Sequence, residues 1–110
     1  NITALNKGVG YLISAHVQNI TIANYNICVF TLFQRAGNII NTQKTKLADT
    51  LITIRSNRMV VPVKLSEKNN FKGSIIDYSS SGETVYMEPE AVTVLNNEIT
   101  MFFIVISLPV

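Results

Sequence analysis

The chain has 110 residues, 47% of them hydrophobic, with one cysteine, one histidine, no tryptophan and a net charge of +2. That hydrophobic content excludes intrinsic disorder, and the length suits one hydrophobic core and not two. Cys28 alone excludes a disulfide framework within the chain and any cysteine-based zinc site, and His16 alone leaves little for a metal. The charge is unevenly spread. Residues 1–72 hold all nine Lys and Arg with only Asp49 and Glu67 against them, a net +7. Residues 73–110 hold Asp77, Glu83, Glu88, Glu90 and Glu98 and no Lys or Arg, a net −5.

The chain opens on Asn1 rather than Met and reads as a segment of something longer, a single domain or fragment over 1–110. No basic stretch followed by an apolar run marks a signal peptide. Residues 9–33 are apolar and rich in β-branched and aromatic side chains, as in Ile27-Cys-Val-Phe-Thr-Leu-Phe33, which favours strands. Gly37-Asn38 reads as a turn, and 41–50 as a polar connector with Lys44, Lys46 and Asp49.

The middle of the chain predicts a short antiparallel β-meander over about 51–87. Leu51 to Arg55 and Arg58 to Leu65 form a hairpin around Ser56-Asn57. Met59, Val61, Val63 and Leu65 share one face of the second strand, and Arg58, Val60, Pro62 and Lys64 the other. Pro62 cannot donate to a ladder, which places this strand at an edge or at a bulge. Gly73 to Tyr78 and Glu83 to Met87 are the third and fourth strands, joined by Ser79-Ser-Ser-Gly82. A helix follows over about 89–98, with Pro89 at its first position, Glu88 and Glu90 at its positive end, and Val92, Leu95 and Ile99 as its apolar stripe. Asn96-Asn97 limits it to two or three turns. Residues 99–110 are strongly apolar but shorter than the about 20 residues of a membrane helix, and read as a buried strand. The fold class is therefore α+β, with strand-rich flanks.

Catalytic constellations are thin. A nucleophilic serine needs a neighbouring base, and the single histidine lies far from Ser79–Ser81 in sequence. The five carboxylates after residue 72 are spread over strand, turn and helix, unlike an acid–base pair. Ser79 to Gly82 lacks the pattern of a phosphate loop. The informative group is cationic. Arg55, Arg58, Lys64, Lys68 and Lys72 fall within 18 residues, opposed only by Glu67. Such a patch attracts phosphate backbones without sequence preference, in a salt-dependent way. With only Phe71 and Tyr78 close by, a stacking platform for single strands is sparse.

The stretch from Leu51 to Asn97 resembles a segment of the bacterial MutS-like proteins, in particular the recombination-suppressing paralogue with a C-terminal Smr nuclease. The order of Arg58, Val61-Pro-Val-Lys64, Asp77, Ser79 to Gly82, Glu88-Pro89 and Leu95-Asn-Asn97 carries it. That family places a charged helix before the first strand, whereas residues 1–48 here contain no Asp or Glu. The resemblance implies a core segment at the lever–clamp junction, over 51–97, of a cytoplasmic, dimeric, DNA-binding ATPase. The family acts on branched DNA in repair and recombination suppression and has been linked to rescue of stalled ribosomes. It implies ATP and Mg2+ in the parent protein but no cofactor or catalytic residue in this segment. Its expected partners are DNA or structured nucleic acid, the rest of the parent chain and a second subunit, with no membrane. Arg55, Arg58, Lys64, Lys68 and Lys72 are the expected nucleic-acid contacts. The competing reading is a structural or protein-interaction module with no direct nucleic-acid contact.

Overall fold

The computed structural model describes residues 9–106, with side chains described over 19–105. A long helix, α1 (Val9–Thr42), leads through a 3-10 turn (Lys44–Lys46) into four strands: β1 (Thr53–Arg55), β2 (Arg58–Lys64), β3 (Gly73–Tyr78) and β4 (Thr84–Pro89). A second 3-10 turn (Leu65–Glu67) follows β2, and a third (Glu90–Val92) leads into α2 (Thr93–Ile106). The result is an α+β fold built on a four-stranded antiparallel sheet.

The strands expected in residues 9–33 are instead helix α1, and Gly37-Asn38 lies within it. Cys28, Leu32, Ala36 and Ile39 recur at steps of four, four and three and are all buried, which is the stripe of a helix. That stripe is hidden in the sequence because Ile20, Ile27, Phe30 and Phe33 make the outer face apolar too. The β-branched threonines are accommodated by back-bonding, Thr31 Oγ1 to the Ile27 carbonyl at 2.9 Å and Thr42 Oγ1 to that of Asn38 at 2.8 Å.

The strand order is β1-β2-β4-β3. The β1–β2 hairpin turns on Ser56 and Asn57, both at positive φ (52° and 60°), the two-residue geometry whose twist matches the flanking strands. Residues 65–72, with Phe71 buried, carry the chain past β2 so that β4 returns beside it and β3 becomes the outer strand. Gly82, at φ 78°, closes the β3–β4 turn, with its N–H donating to the Ser79 carbonyl at 2.9 Å. β3 guards its free edge with a register shift between Ile75 and Asp77 and with the Asp77 carboxylate, which accepts the Tyr78 N–H.

β2 is an inner strand, which corrects the edge position expected from Pro62. Proline is tolerated because β1 pairs only as far as Val60, while the Pro62 carbonyl accepts the Ala48 N–H at 2.9 Å on that same side. N and O of one strand residue point the same way, so the missing N–H costs the β2–β4 ladder nothing. Met59, Val61 and Val63 of β2 join Val85 and Met87 of β4, the α1 stripe, Val92 and Leu95 in one core.

Gly73 lies opposite Pro89, where a Cβ would sit 2.3 Å from the Glu88 carbonyl oxygen. Gly73→Ala is therefore expected to force the two strands apart and to cost about 2 kcal/mol or more. Thermal unfolding followed by circular dichroism measures this, and an unchanged midpoint contradicts the packing described.

The carboxyl-terminal region differs from expectation in two ways. Pro89 ends β4 with extended ψ (137°), and the helical turn begins after it, at Glu90. The helix then runs through Asn96-Asn97 to Ile106, so the buried strand expected after residue 99 is helix. Val92, Leu95, Ile99 and Phe102 form its buried or half-buried stripe, and the asparagines are tolerated because both side chains have partners on the sheet.

Candidate nucleic-acid interface

Those partners decide what the cationic residues can do. β4 pairs with β2 only up to Met87, opposite Val61, and there it leaves the strand. The next β2 residue on that side, Met59, has its N–H and C=O directed into the gap. The Asn96 carboxamide fills it, with Oδ1 accepting the Met59 N–H at 3.0 Å and Nδ2 donating to the Met59 carbonyl at 3.2 Å. One side chain of α2 thus stands in for a strand. Its second N–H donates to Glu88 Oε1 at 2.8 Å.

Glu88 is the centre of the group, its carboxylate only 5% exposed. Besides Asn96, Oε1 accepts the Arg58 Nε–H in an ion pair, and Oε2 accepts the Thr93 hydroxyl at 3.0 Å. Arg58 Nη2 continues to Asn97 Oδ1 at 2.8 Å. No buried side-chain nitrogen or oxygen among the described residues lacks a partner. Complete satisfaction is the condition under which a buried charge is tolerated. In sequence, Glu88 is explained by the helix dipole; in the structure it holds an arginine 30 residues away.

The five expected contact residues consequently do not form one surface. Arg58 is engaged in the network just described. Arg55, at the same end of the hairpin, lies 4.0 Å from Asp77 and places its guanidinium 4.3 Å from the centroid of the Tyr86 ring. Lys72 lies 3.8 Å from Glu90, with both side chains well exposed. Lys64 stands at the other end of β2, about 20 Å away at the rise of an extended strand. Lys68 follows just beyond the adjoining 3-10 turn.

At that far end the structure adds two lysines that sequence grouping left out. Leu47 bridges to Val63, which brings the 44–46 turn against the end of β2. Lys64 Nζ donates to the Thr45 carbonyl at 3.1 Å, and Lys46 Nζ to that of Asn70 at 2.8 Å. Lys44, Lys46, Lys64 and Lys68 are thus gathered from two separate segments of the chain. Glu67, the nearby carboxylate, accepts from Asn70 Nδ2. The Lys46 and Lys64 amines bond to neutral carbonyls, and none of the four lysines forms an ion pair among the described residues, so this end can attract a polyanion. Phe71, an expected stacking aromatic, is buried in the core, while Tyr78 is exposed on the edge strand.

The remaining chemistry-bearing residues are dispersed. His16 lies in α1, outside the described side chains. Asp77 and Glu90 face cations, and Glu98 lies 3.6 Å from the Cys28 thiol. Among the described residues no cluster of His, Cys, Asp and Glu is suited to a metal, and no helix is long and apolar enough to cross a membrane. The Ser79 and Ser81 hydroxyls bond within their own turn. Cys28 is buried, and burial foremost, with the neighbouring Glu98 acceptor and its charge, raises its thiol pKa. The neutral thiol is the form favoured by folding. Labelling by a maleimide at pH 8 is therefore expected to be many-fold slower in the folded protein than in denaturant, as mass spectrometry would show. Equal rates would contradict the packing of α1 on α2.

Comparison with known proteins gives a consistent direction. The chain contains a segment related to the MutS2 proteins. Over 67 residues, 61% of this chain, it is 45% identical to Endonuclease MutS2 of Finegoldia magna. Over 67 residues, 59% of this chain, it is 49% identical to the protein of that name from Halothermothrix orenii. Over 69 residues, 61% of this chain, it is 44% identical to that of Staphylococcus carnosus. The chain spans 8–9% of the length of these curated relatives. No family model matches the chain.

Proposed function

We propose that this chain is a non-catalytic core or clamp segment of a MutS-like DNA-binding ATPase that acts in DNA repair or recombination suppression. Within it, the lysine end of β2 meets the nucleic-acid backbone. The observation that carries this reading is the convergence of Lys44, Lys46, Lys64 and Lys68 within a segment similar to proteins named as endonucleases of the MutS2 type. The Arg58–Glu88–Asn96 group supports the scaffold half of the role, because it locks α2 to the sheet beside α1.

The binding half is tested by titrating labelled duplex DNA with the protein over a salt series. Binding is expected at low salt and should weaken steeply as salt rises. Lys64→Ala combined with Lys68→Ala is expected to weaken it at every salt concentration. No binding at low salt would remove direct contact and leave the scaffold role alone.

A second reading, a protein-interaction module, draws on the apolar outer surfaces of the two helices. Phe30 is 64% and Phe103 65% exposed, and Phe33 and Met101 are also more than half exposed. The rest of a parent chain or a second subunit is the occupant proposed for that surface. Light scattering on the 110-residue chain separates the readings, since a soluble monomer at high concentration argues against the second.

A further inference from the structure

The sheet face opposite the core carries a groove of about 290 Å³, bounded by the 48–53 segment on one side and by Pro62, Thr84 and Tyr86 on the other. Pro62 lies opposite Tyr86, and Lys64 opposite Thr84, so all four project from this face. Tyr86 forms a wall of the groove while carrying the Arg55 guanidinium 4.3 Å from its ring centroid.

We propose that this groove receives one unstacked base of a single-stranded polynucleotide, placed against the Tyr86 ring. The inference rests on the nucleic-acid reading above and adds to it a contact with a base rather than with phosphate. Three features select that occupant. The Tyr86 ring lines the groove, and an aromatic ring offers a surface on which bases stack irrespective of their identity, while Arg55, over that ring, adds positive charge beside it. The volume is at the lower limit of small-molecule sites, so it suits one planar ring system. The polar groups on the walls match a base edge: the Thr53 and Thr84 hydroxyls both donate and accept, and the Asp49 carboxylate accepts. One Asp49 oxygen already takes the Thr50 N–H at 2.7 Å, and the second carries further acceptor capacity. Lys64, beside Thr84 on the same face, then supplies a positive charge for the adjoining phosphate.

The test uses fluorescence anisotropy with three probes carrying equal numbers of phosphates: oligodeoxythymidylate, an abasic strand and a duplex. The expected result is about tenfold tighter binding of the thymidylate strand than of the abasic one. Tyr86→Ala should abolish that difference and leave duplex binding unchanged, and Tyr86→Leu, which retains apolar bulk, should do the same if the fold is intact. Tyr78→Ala should preserve the difference. Equal affinity for thymidylate and abasic strands, as for a groove that takes a peptide side chain instead, overturns the inference while leaving the lysine reading in place. A preference that survives both Tyr86 variants overturns it equally. Loss of binding to all three probes overturns both.

Discussion

Arg58→Ala is expected to lower the unfolding free energy by about 3–5 kcal/mol, the usual cost of removing one partner from a buried ion pair. The change strands the Glu88 carboxylate, 5% exposed, with only the Asn96 amide and the Thr93 hydroxyl to compensate its charge. Arg55→Ala, in the same hairpin, costs about 1 kcal/mol or less, because its ion pair with Asp77 is exposed to solvent. Urea denaturation of both variants measures the contrast, with midpoints compared at a common slope. Similar losses in the two variants would mean that Arg58 is a surface cation after all. A loss confined to Arg58 places it in the scaffold.

Asn96→Ala is the second large effect, about 2–4 kcal/mol. It leaves the Met59 N–H and C=O without partners and removes one donor from Glu88. An unsatisfied buried polar group costs about 1–3 kcal/mol, and relaxation of α2 toward the sheet recovers part of the sum. Because Asn96 and Arg58 act on the same carboxylate, the double variant should lose less than the two single losses added together. Strict additivity, measured by the same urea transitions, would show that α2 is held by its apolar stripe alone. Hydrogen exchange adds a positional readout: amides of α2 should lose protection before those of β2 and β4.

Much of the sheet was legible in the residues. Alternation in Met59, Val61 and Val63 marks a strand with one apolar face, Ser56-Asn57 marks the tight turn, and Gly82 marks the second. The stripe Val92, Leu95, Ile99 marks the start of α2. Helix α1 was not legible, because its core stripe is framed by exposed Ile and Phe side chains that blur the helical period. The same composition disguised the end of α2 as a strand. Long-range pairing was also out of reach. Nothing near Glu88 in sequence points to Arg58, and nothing near Lys64 points to Lys46. Linear grouping therefore joined five cations that the structure divides between two ends of β2. Tyr86, two residues from Glu88, is not marked in sequence as a stacking surface, because Arg55 reaches it only across the folded sheet.

The charge split acquires a physical meaning in this arrangement. Three of the carboxylates after residue 72, Asp77, Glu88 and Glu90, face cations from residues 55–72. Among the described residues the lysines that gather at the far end form no ion pair, and Glu67 on their own turn accepts from Asn70 instead.

The division of the cations is tested most directly by the salt dependence of duplex DNA binding, compared between two variants that remain folded at the temperature of measurement. The logarithmic slope should fall by about two for Lys64→Ala combined with Lys68→Ala, one unit for each phosphate that a lysine neutralises. It should stay unchanged for Arg58→Gln. A slope reduced by Arg58→Gln and untouched by the lysine pair would contradict the account, returning Arg58 to the nucleic-acid surface and the lysines to solvent.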